Sequence, residues 1–128
     1  NIVPTSSGAT TSVIEIIPEL KGKIDGGALR VPVVDGSITE VVAKVSRSTT
    51  ASEVNKIFKK SAESNLKGIL EYTEEPIVSS DIIHNPHSCI FDAKLTSVIG
   101  DLVSIYGWYD NEWGYSNRLV ELAQLMVK

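Results

Sequence analysis

The side chains best suited to binding a ligand are concentrated in one stretch near the end of the chain. Both tryptophans and two of the four tyrosines of this 128-residue chain lie in the segment Trp108-Tyr109-Asp110-Asn111-Glu112-Trp113-Gly114-Tyr115-Ser116. A loop anchored between a predicted strand and a predicted helix, as here, often carries binding residues. Asn111 offers two amide donors and one acceptor in a plane, which suits a ligand with its own amide. The spacing alone favours a simpler role, in which Asp110, Asn111 or Ser116 caps the helix.

Two further places could bind an anion. Ser7 and Gly8 lie at the predicted start of the first helix, where free backbone amides and the helix dipole favour negative charge. On sequence alone, plain helix capping is the favoured explanation of the same pattern. Arg30 lies in an otherwise apolar strand, and its planar guanidinium group suits phosphate. An exposed arginine on a strand with one solvated face is the alternative interpretation.

A histidine and the single cysteine also fall on one face of a predicted strand, in His87-Ser88-Cys89, with His84 nearby. A Cys-His pair can produce a thiolate nucleophile, and such residues can begin a metal site. We predict neither, because a metal site needs further ligands at tight spacing and free cysteine is among the most commonly buried residue types. Cys89 is therefore predicted to be a core residue.

Composition excludes several classes of protein. The formal net charge is −4 and no basic cluster is present, so neither nucleic acid nor a membrane surface is an expected partner. No apolar run approaches the roughly 20 residues of a membrane span. One cysteine cannot form an internal disulfide, which favours a reducing, cytoplasmic location. The chain begins with Asn1 rather than methionine, and we expect it to be a fragment.

Short strands separated by turns, with a few helices, must position these residues. Helices are predicted after Gly8, after the capping box formed by Thr50 and Glu53, and at residues 115–128. The first of these ends before Pro18, and a hairpin turn is predicted at Asp35-Gly36. The predicted strands cover residues 28–34, 37–47, 66–72, 88–92, 95–99 and 102–109. This order predicts a single α+β domain over residues 1–128, with a mixed, largely antiparallel sheet and helices packed on one face.

Seven blocks of the sequence resemble, in order and at similar spacing, the C-terminal half of glyceraldehyde-3-phosphate dehydrogenase. They are Asn1–Gly8, Pro18–Lys23, Ala28–Pro32, Leu66–Leu70, Val78–Asp81, Ile90–Ala93 and Trp108–Ser116. The chain is thereby identified as a member of that family, covering the C-terminal part of its catalytic domain. The resemblance implies that the final helix, residues 115–128, packs on a dinucleotide-binding domain that this sequence does not contain.

The resemblance also implies roles for individual residues. The family oxidises and phosphorylates glyceraldehyde 3-phosphate through a cysteine thiohemiacetal, hydride transfer to NAD and phosphorolysis of a thioester. Ser7 and Gly8 match the pair at the inorganic-phosphate site, where threonine is more usual than serine, and Arg30 matches the arginine that grips substrate phosphate. Asn111 matches the asparagine that binds the nicotinamide carboxamide, and Tyr115 matches the tyrosine packed near that ring. A cytoplasmic homotetramer is implied as well.

The sequence departs from the family pattern in what it lacks. The catalytic cysteine of the family lies in a Ser-Cys-Thr-Thr-Asn motif that does not occur here, and the activating histidine belongs upstream of Asn1. No catalytic residue is therefore expected in this chain, which alone is predicted to be inactive. NADP is left open beside NAD because the residues that read the ribose belong to the other domain. Erythrose-4-phosphate dehydrogenase and a non-catalytic oligomerisation or binding module are the alternatives.

Overall fold

The computed structural model describes residues 1–127, which fall into two compact units, the second beginning at Asp35. Each unit is described below by itself. Lys128, the last residue of the predicted terminal helix, lies outside the described residues. The assignment of the whole chain to a single domain stays a prediction.

The first unit is a two-stranded sheet and a short helix. Strand β1 (Val3–Thr5) pairs antiparallel with β2 (Ala28–Arg30), so that Thr5 lies opposite Ala28 and Val3 opposite Arg30. Between them lie helix α1 (Ala9–Ile16) and a 3₁₀ turn (Pro18–Leu20). The predicted first helix is confirmed, and it ends where Pro18 prevents the preceding residue from continuing it.

Two sequence predictions about this region are wrong. The strand predicted over residues 28–34 ends at Arg30, because Pro32 has no N–H with which to extend a ladder. Asp35-Gly36 does not join two paired strands, since β2 pairs with β1 and the next strand pairs with the last one. It is instead a sharp local turn: Gly36 has φ +92°, and its N–H donates to Asp35 Oδ1 at 2.6 Å.

The apolar residues of α1 are not covered within its own unit. Ile16 is 80% exposed and Ile17 is also exposed, while Val13 and Ile14 are half-buried. A unit of this size has little apolar surface with which to cover a helix.

The second unit is a mixed, largely antiparallel sheet with helices, which confirms the predicted α+β class. In chain order its elements are β3 (Ser37–Lys44), α2 (Ala51–Glu63), β4 (Leu70–Thr73), a 3₁₀ turn (Ser79–Ile82), β5 (Cys89–Asp92), β6 (Ser97–Ile99), β7 (Leu102–Tyr109) and α3 (Trp113–Met126). The sheet order is β3-β7-β5-β4, and β6 pairs with the beginning of β7. Only β4 and β5 run parallel; the other pairs in this sheet are antiparallel.

The core of this unit lies where α2 packs on the sheet. Val54 of α2 is buried, and the Phe58 ring stacks on Phe91 of β5 with centroids 4.1 Å apart. The buried strand residues of the cluster are Leu70, Phe91 and Val103, with Ala93 just after β5. Ile57 is 62% exposed because it lies to one side of the stripe formed by Val54, Phe58 and Ala62.

Helix α3 follows β7 and exposes its apolar side. Leu119, Leu122, Leu125 and Met126 are all exposed. Among residues 1–127, no helix combines the length and the apolar character that a bilayer crossing requires.

Candidate functional site

Asp110 organises the loop between β7 and α3. Its Oδ1 accepts hydrogen bonds from the N–H groups of Glu112 at 2.9 Å and Trp113 at 2.7 Å, and its Oδ2 accepts one from the His84 N–H at 2.8 Å. Burial is the largest single effect and raises the pKa of Asp110, which is 1% exposed. The three N–H donors outweigh it, so the pKa lies below its ordinary value. Of the three candidate capping residues, Asp110 is therefore the one that binds the first amides of α3.

The same carboxylate fixes the loop before β5. His84 has φ +64°, a conformation uncommon outside glycine but more accessible to histidine than to most residues. Its N–H is held by Asp110, and its ring lies 5.0 Å from the ring of Trp113. The buried carboxylate of Asp110 thus connects the start of α3 to the segment around His84.

Asn111, the candidate cofactor-binding residue, is exposed beside this anchor. Its side-chain Oδ1 accepts a hydrogen bond from the Ser37 hydroxyl at 2.9 Å. Ser37 is the first residue of β3 and pairs with Tyr109 of β7, two residues before Asn111. No hydrogen bond among residues 1–127 uses Nδ2 of Asn111, so both of its amide donors remain available to a ligand.

A shallow cavity of about 330 Å³ brings the two predicted cofactor-binding residues together. It is lined by Ser88, Tyr109, Asp110, Asn111, Gly114, Tyr115 and Arg118. Tyr115 is 65% exposed, with its ring free to contact a ligand. Gly114 packs closely against the segment before β5. A Cβ added to Gly114 would lie 2.8 Å from the His87 carbonyl oxygen.

Arg118 lies opposite the apolar residues of α3 in the helical pattern, yet it is half-buried. Its guanidinium group lies 3.3 Å from both the Gly68 carbonyl oxygen and the Ser88 hydroxyl. Its Nη2 also binds Glu121 at 2.6 Å. At Arg118 the polar side of α3 therefore contacts the body of its unit, whereas Glu121, Gln124 and the leucines of the apolar side are exposed.

The predicted phosphate-binding residues lie in the first unit. Ser7 Oγ accepts a hydrogen bond from the Ala9 N–H at 3.2 Å, and the space over Gly8 is open, with nothing within 4 Å of an added Cβ. The side chain of Arg30 is exposed and makes no hydrogen bond or ion pair within the described part of the chain. The strand register sets Arg30 opposite Val3, whereas Ser7 and Gly8 follow the other end of β1.

Cys89 is a core residue, as predicted. It packs against the buried cluster, and burial raises the pKa of its thiol, which favours the unreactive protonated form. His87 Nδ1 contacts Asn85 Oδ1 at 2.9 Å and Glu71 Oε2 at 3.0 Å rather than Cys89. Within the described range, no group of three or more His, Cys, Asp or Glu residues is arranged to hold a metal ion.

Ser37 and Arg118 are the site residues that sequence reasoning missed. Ser37 lies 74 positions from Asn111, and the sequence carries no signal that links them. The acceptors of Arg118 lie 50 and 30 positions away, so the sequence carries no local signal for them either.

Comparison with known proteins gives the family. The model for "Glyceraldehyde 3-phosphate dehydrogenase, C-terminal domain" matches residues 1–111. Glyceraldehyde-3-phosphate dehydrogenase 1 of Streptomyces avermitilis is 56% identical over 126 residues, which cover 98% of this chain and 38% of that protein. The glyceraldehyde-3-phosphate dehydrogenase of Mycobacterium leprae is 54% identical over 128 residues, covering 100% of this chain and 38% of that protein. The chain thus spans little more than a third of the length of these curated relatives, and it belongs to the glyceraldehyde-3-phosphate dehydrogenase family as a match to its C-terminal domain.

Proposed function

We propose that this chain is the C-terminal part of a phosphorylating glyceraldehyde-3-phosphate dehydrogenase. The observation that carries the proposal is Asn111, whose amide is held beside an aromatic-lined cavity with both donors available. The names of the relatives are those of dehydrogenases that act on glyceraldehyde 3-phosphate. Oxidation of the aldehyde with phosphorolysis of a cysteine thioester is proposed on the family resemblance. The nucleophilic cysteine and the activating histidine are provided by sequence outside this chain, which by itself is inactive.

Asn111 and Tyr115 are proposed to hold the nicotinamide end of NAD. The Nδ2 of Asn111 can donate to the carbonyl oxygen of a carboxamide, and the exposed ring of Tyr115 can lie against an aromatic heterocycle. When bound, the nicotinamide supplies the acceptor for the electrons of the aldehyde. NADP is the other cofactor to assay, because the residues that distinguish the two belong to the dinucleotide-binding domain.

Ser7, Gly8 and Arg30 are proposed to bind phosphate. The Ser7 hydroxyl and the amides at the start of α1 are donors, and the open space over Gly8 leaves room for close approach. Ser7 and Gly8 take inorganic phosphate in this proposal, and Arg30 takes the phosphate of glyceraldehyde 3-phosphate. The absence of partners for Arg30 within residues 1–127 supports a ligand-binding role.

The apolar side of α3 is proposed to pack on the dinucleotide-binding domain. Its polar side is occupied within its own unit by the contacts of Arg118, whereas Leu122 and Leu125 are exposed. Such an apolar surface is expected to be covered in the whole protein. A cytoplasmic homotetramer completes the proposal, on family resemblance.

The test uses the intact protein that contains this sequence, supplied with NAD, glyceraldehyde 3-phosphate and inorganic phosphate. Reduction of NAD is measured by the absorbance of the NADH formed. We expect turnover with the intact protein and none with this chain alone. Arg30→Ala should raise KM for glyceraldehyde 3-phosphate about ten- to a hundredfold, because a hydrogen bond to a charged group is lost. The KM for NAD should stay within about twofold.

Arg47→Ala is the matched control, since Arg47 makes only a marginal contact of 3.5 Å with the Ser48 carbonyl. It should behave as wild type. An intact protein that reduces neither NAD nor NADP would contradict the proposal, as would turnover by this chain alone. A clear preference for erythrose 4-phosphate would identify the alternative dehydrogenase.

A further inference from the structure

Asn111 has one end of its amide engaged and the other end free. The Ser37 hydroxyl donates to Oδ1 at 2.9 Å, and no partner among residues 1–127 takes Nδ2. The two ends of an amide side chain have opposite hydrogen-bonding character, since one accepts and the other donates. A hydrogen bond that engages the oxygen of the Asn111 amide therefore leaves the donor end to face the ligand.

The Ser37 hydroxyl is rigidly positioned by backbone structure on both sides. Eight consecutive residue pairs join β3 to β7, and Ser37–Tyr109 is the terminal pair next to the loop. Before Ser37, Gly36 adopts φ +92° in a tight space, where an added Cβ would lie 3.0 Å from both the Ile82 side chain and the Ser79 carbonyl oxygen. Ser37 thus begins its strand at a fixed place.

The backbone of Asn111 is anchored independently. Asp110 precedes it, is buried, and binds the N–H groups of Glu112 and Trp113 that follow it. The side chain of Asn111 is exposed and would otherwise be free to rotate. The bond from Ser37 is the only hydrogen bond to that side chain within the described residues.

We propose that Ser37 is a positioning residue that holds the Asn111 amide with its donor end toward the cofactor. This inference rests on the proposed function, because it assumes that the ligand is a nicotinamide dinucleotide. It assigns the interaction to the carbonyl oxygen of the carboxamide, which would accept from Asn111 Nδ2. A ligand that keeps this carbonyl but lacks the amide nitrogen should still be accepted.

The experiment compares equilibrium binding of NAD and of its 3-acetylpyridine analogue to the intact protein, by quenching of protein fluorescence without substrate. The analogue keeps the carbonyl oxygen and replaces the amide nitrogen by a methyl group. In Ser37→Ala the Asn111 amide can turn. NAD can pair with either end of it, whereas the analogue can pair only with the donor end.

Ser37→Ala should therefore raise the Kd of the analogue about tenfold and that of NAD about two- to threefold, a range appropriate to one neutral hydrogen bond. Ser37→Thr keeps the hydroxyl, so the Kd values of NAD and of the analogue should both equal those of wild type. Ser52→Ala, at an exposed position of α2, is the matched control and should change neither. A merely structural role for Ser37 would raise both values by the same factor.

A second variant tests the same orientation without touching Ser37. Asn111→Asp keeps an acceptor and removes the donors, so it should weaken the analogue more strongly than NAD, whose amide nitrogen can still donate to the carboxylate. Analogue binding that is unchanged in Asn111→Asp would overturn the assigned orientation. Equal effects of Ser37→Ala on the two ligands, or no effect, would overturn the role of Ser37. Wild-type protein that binds neither dinucleotide would overturn the proposed function, and this inference with it.

Discussion

At the scale of single residues, Asp110 is the most constrained group in the candidate site. A buried carboxylate is costly unless its oxygens are satisfied, and here three backbone N–H groups within 2.9 Å do so. Two of these donors belong to the start of α3 and the third belongs to His84. The charge therefore holds two separate segments in place around Asn111.

Replacement of this carboxylate should destabilise the protein in a pH-dependent manner. Asp110→Asn should lower the free energy of unfolding by about 2–3 kcal/mol at neutral pH, because an amide cannot accept all three bonds. The folded-state pKa of Asp110 is below its ordinary value of 3.8, so its contribution is present above that value and is lost as the pH falls through the folded pKa. The free energies of unfolding of wild type and Asp110→Asn should therefore become equal at acidic pH.

Urea unfolding at a series of pH values measures this difference. Asp101→Asn is the control, since Asp101 is half-exposed and its ion pair with the exposed Lys44 is 3.6 Å long. Its effect should stay within about 1 kcal/mol at every pH. A constant gap between Asp110→Asn and wild type down to strongly acidic pH would contradict the assigned role of the charge.

At the scale of elements, the contact between β5 and β7 depends on one glycine. Phe91 of β5 pairs with Gly107 of β7, and Cys89 lies at the beginning of β5. A Cβ on Gly107 would lie 2.5 Å from Cys89 Sγ, which is closer than side chains approach in folded proteins. The thiol occupies the space that a side chain on β7 would take, and this packing explains its core position.

Gly107→Ala should therefore destabilise the second unit. A smaller residue at position 89 should remove the steric overlap and restore part of the lost stability. Overpacking of this kind costs about 1–3 kcal/mol. Cys89→Ala alone should cost less, and the double variant should be more stable than Gly107→Ala. Thermal unfolding of the four proteins measures the coupling free energy between the two positions. Additive effects would show that the two residues do not compete for space.

At the scale of the whole molecule, the chain leaves much apolar surface uncovered. The exposed side of α3 carries leucines at positions 119, 122 and 125, and Leu125 is 67% exposed. An isolated globular protein seldom leaves such a surface open. The chain also spans only 38% of the length of relatives such as that of Mycobacterium leprae, which fits the proposal that further sequence covers this helix.

A charge placed on this surface should have opposite effects on the chain and on the intact protein. Leu125→Glu should reduce self-association of the isolated chain, because it interrupts the apolar surface, and sedimentation velocity measures this. In the intact protein the same change should lower the free energy of unfolding by about 1.5–3 kcal/mol, the value of one buried leucine. Gln124→Glu is the control, because it adds the same charge one position earlier. It should change neither the self-association of the isolated chain nor the free energy of unfolding of the intact protein. An intact protein indifferent to Leu125→Glu would contradict the proposed packing of α3.

The sequence by itself determined the features that depend on neighbouring residues. The capping box of Thr50 and Glu53 was recognisable from its spacing, and both of its hydrogen bonds are present. The strand over residues 102–109 was likewise predicted with its observed bounds. Caps and strand patterns are local, because the groups that satisfy one another lie within a few residues of the same backbone. The family was also recognisable, since its blocks run through the chain in order.

Tertiary structure alone decided which distant groups meet. Nothing local indicates that Ser37 donates to Asn111, that the His84 N–H donates to Asp110, or that β2 pairs with β1. Arg118 similarly finds its acceptors in turns far away in sequence. Each outcome depends on strand pairing across long separations, and several pairings satisfy the same local preferences. The fold selects one of them by burying the core of Val54, Phe91 and Val103, and the polar contacts of the site follow from that selection.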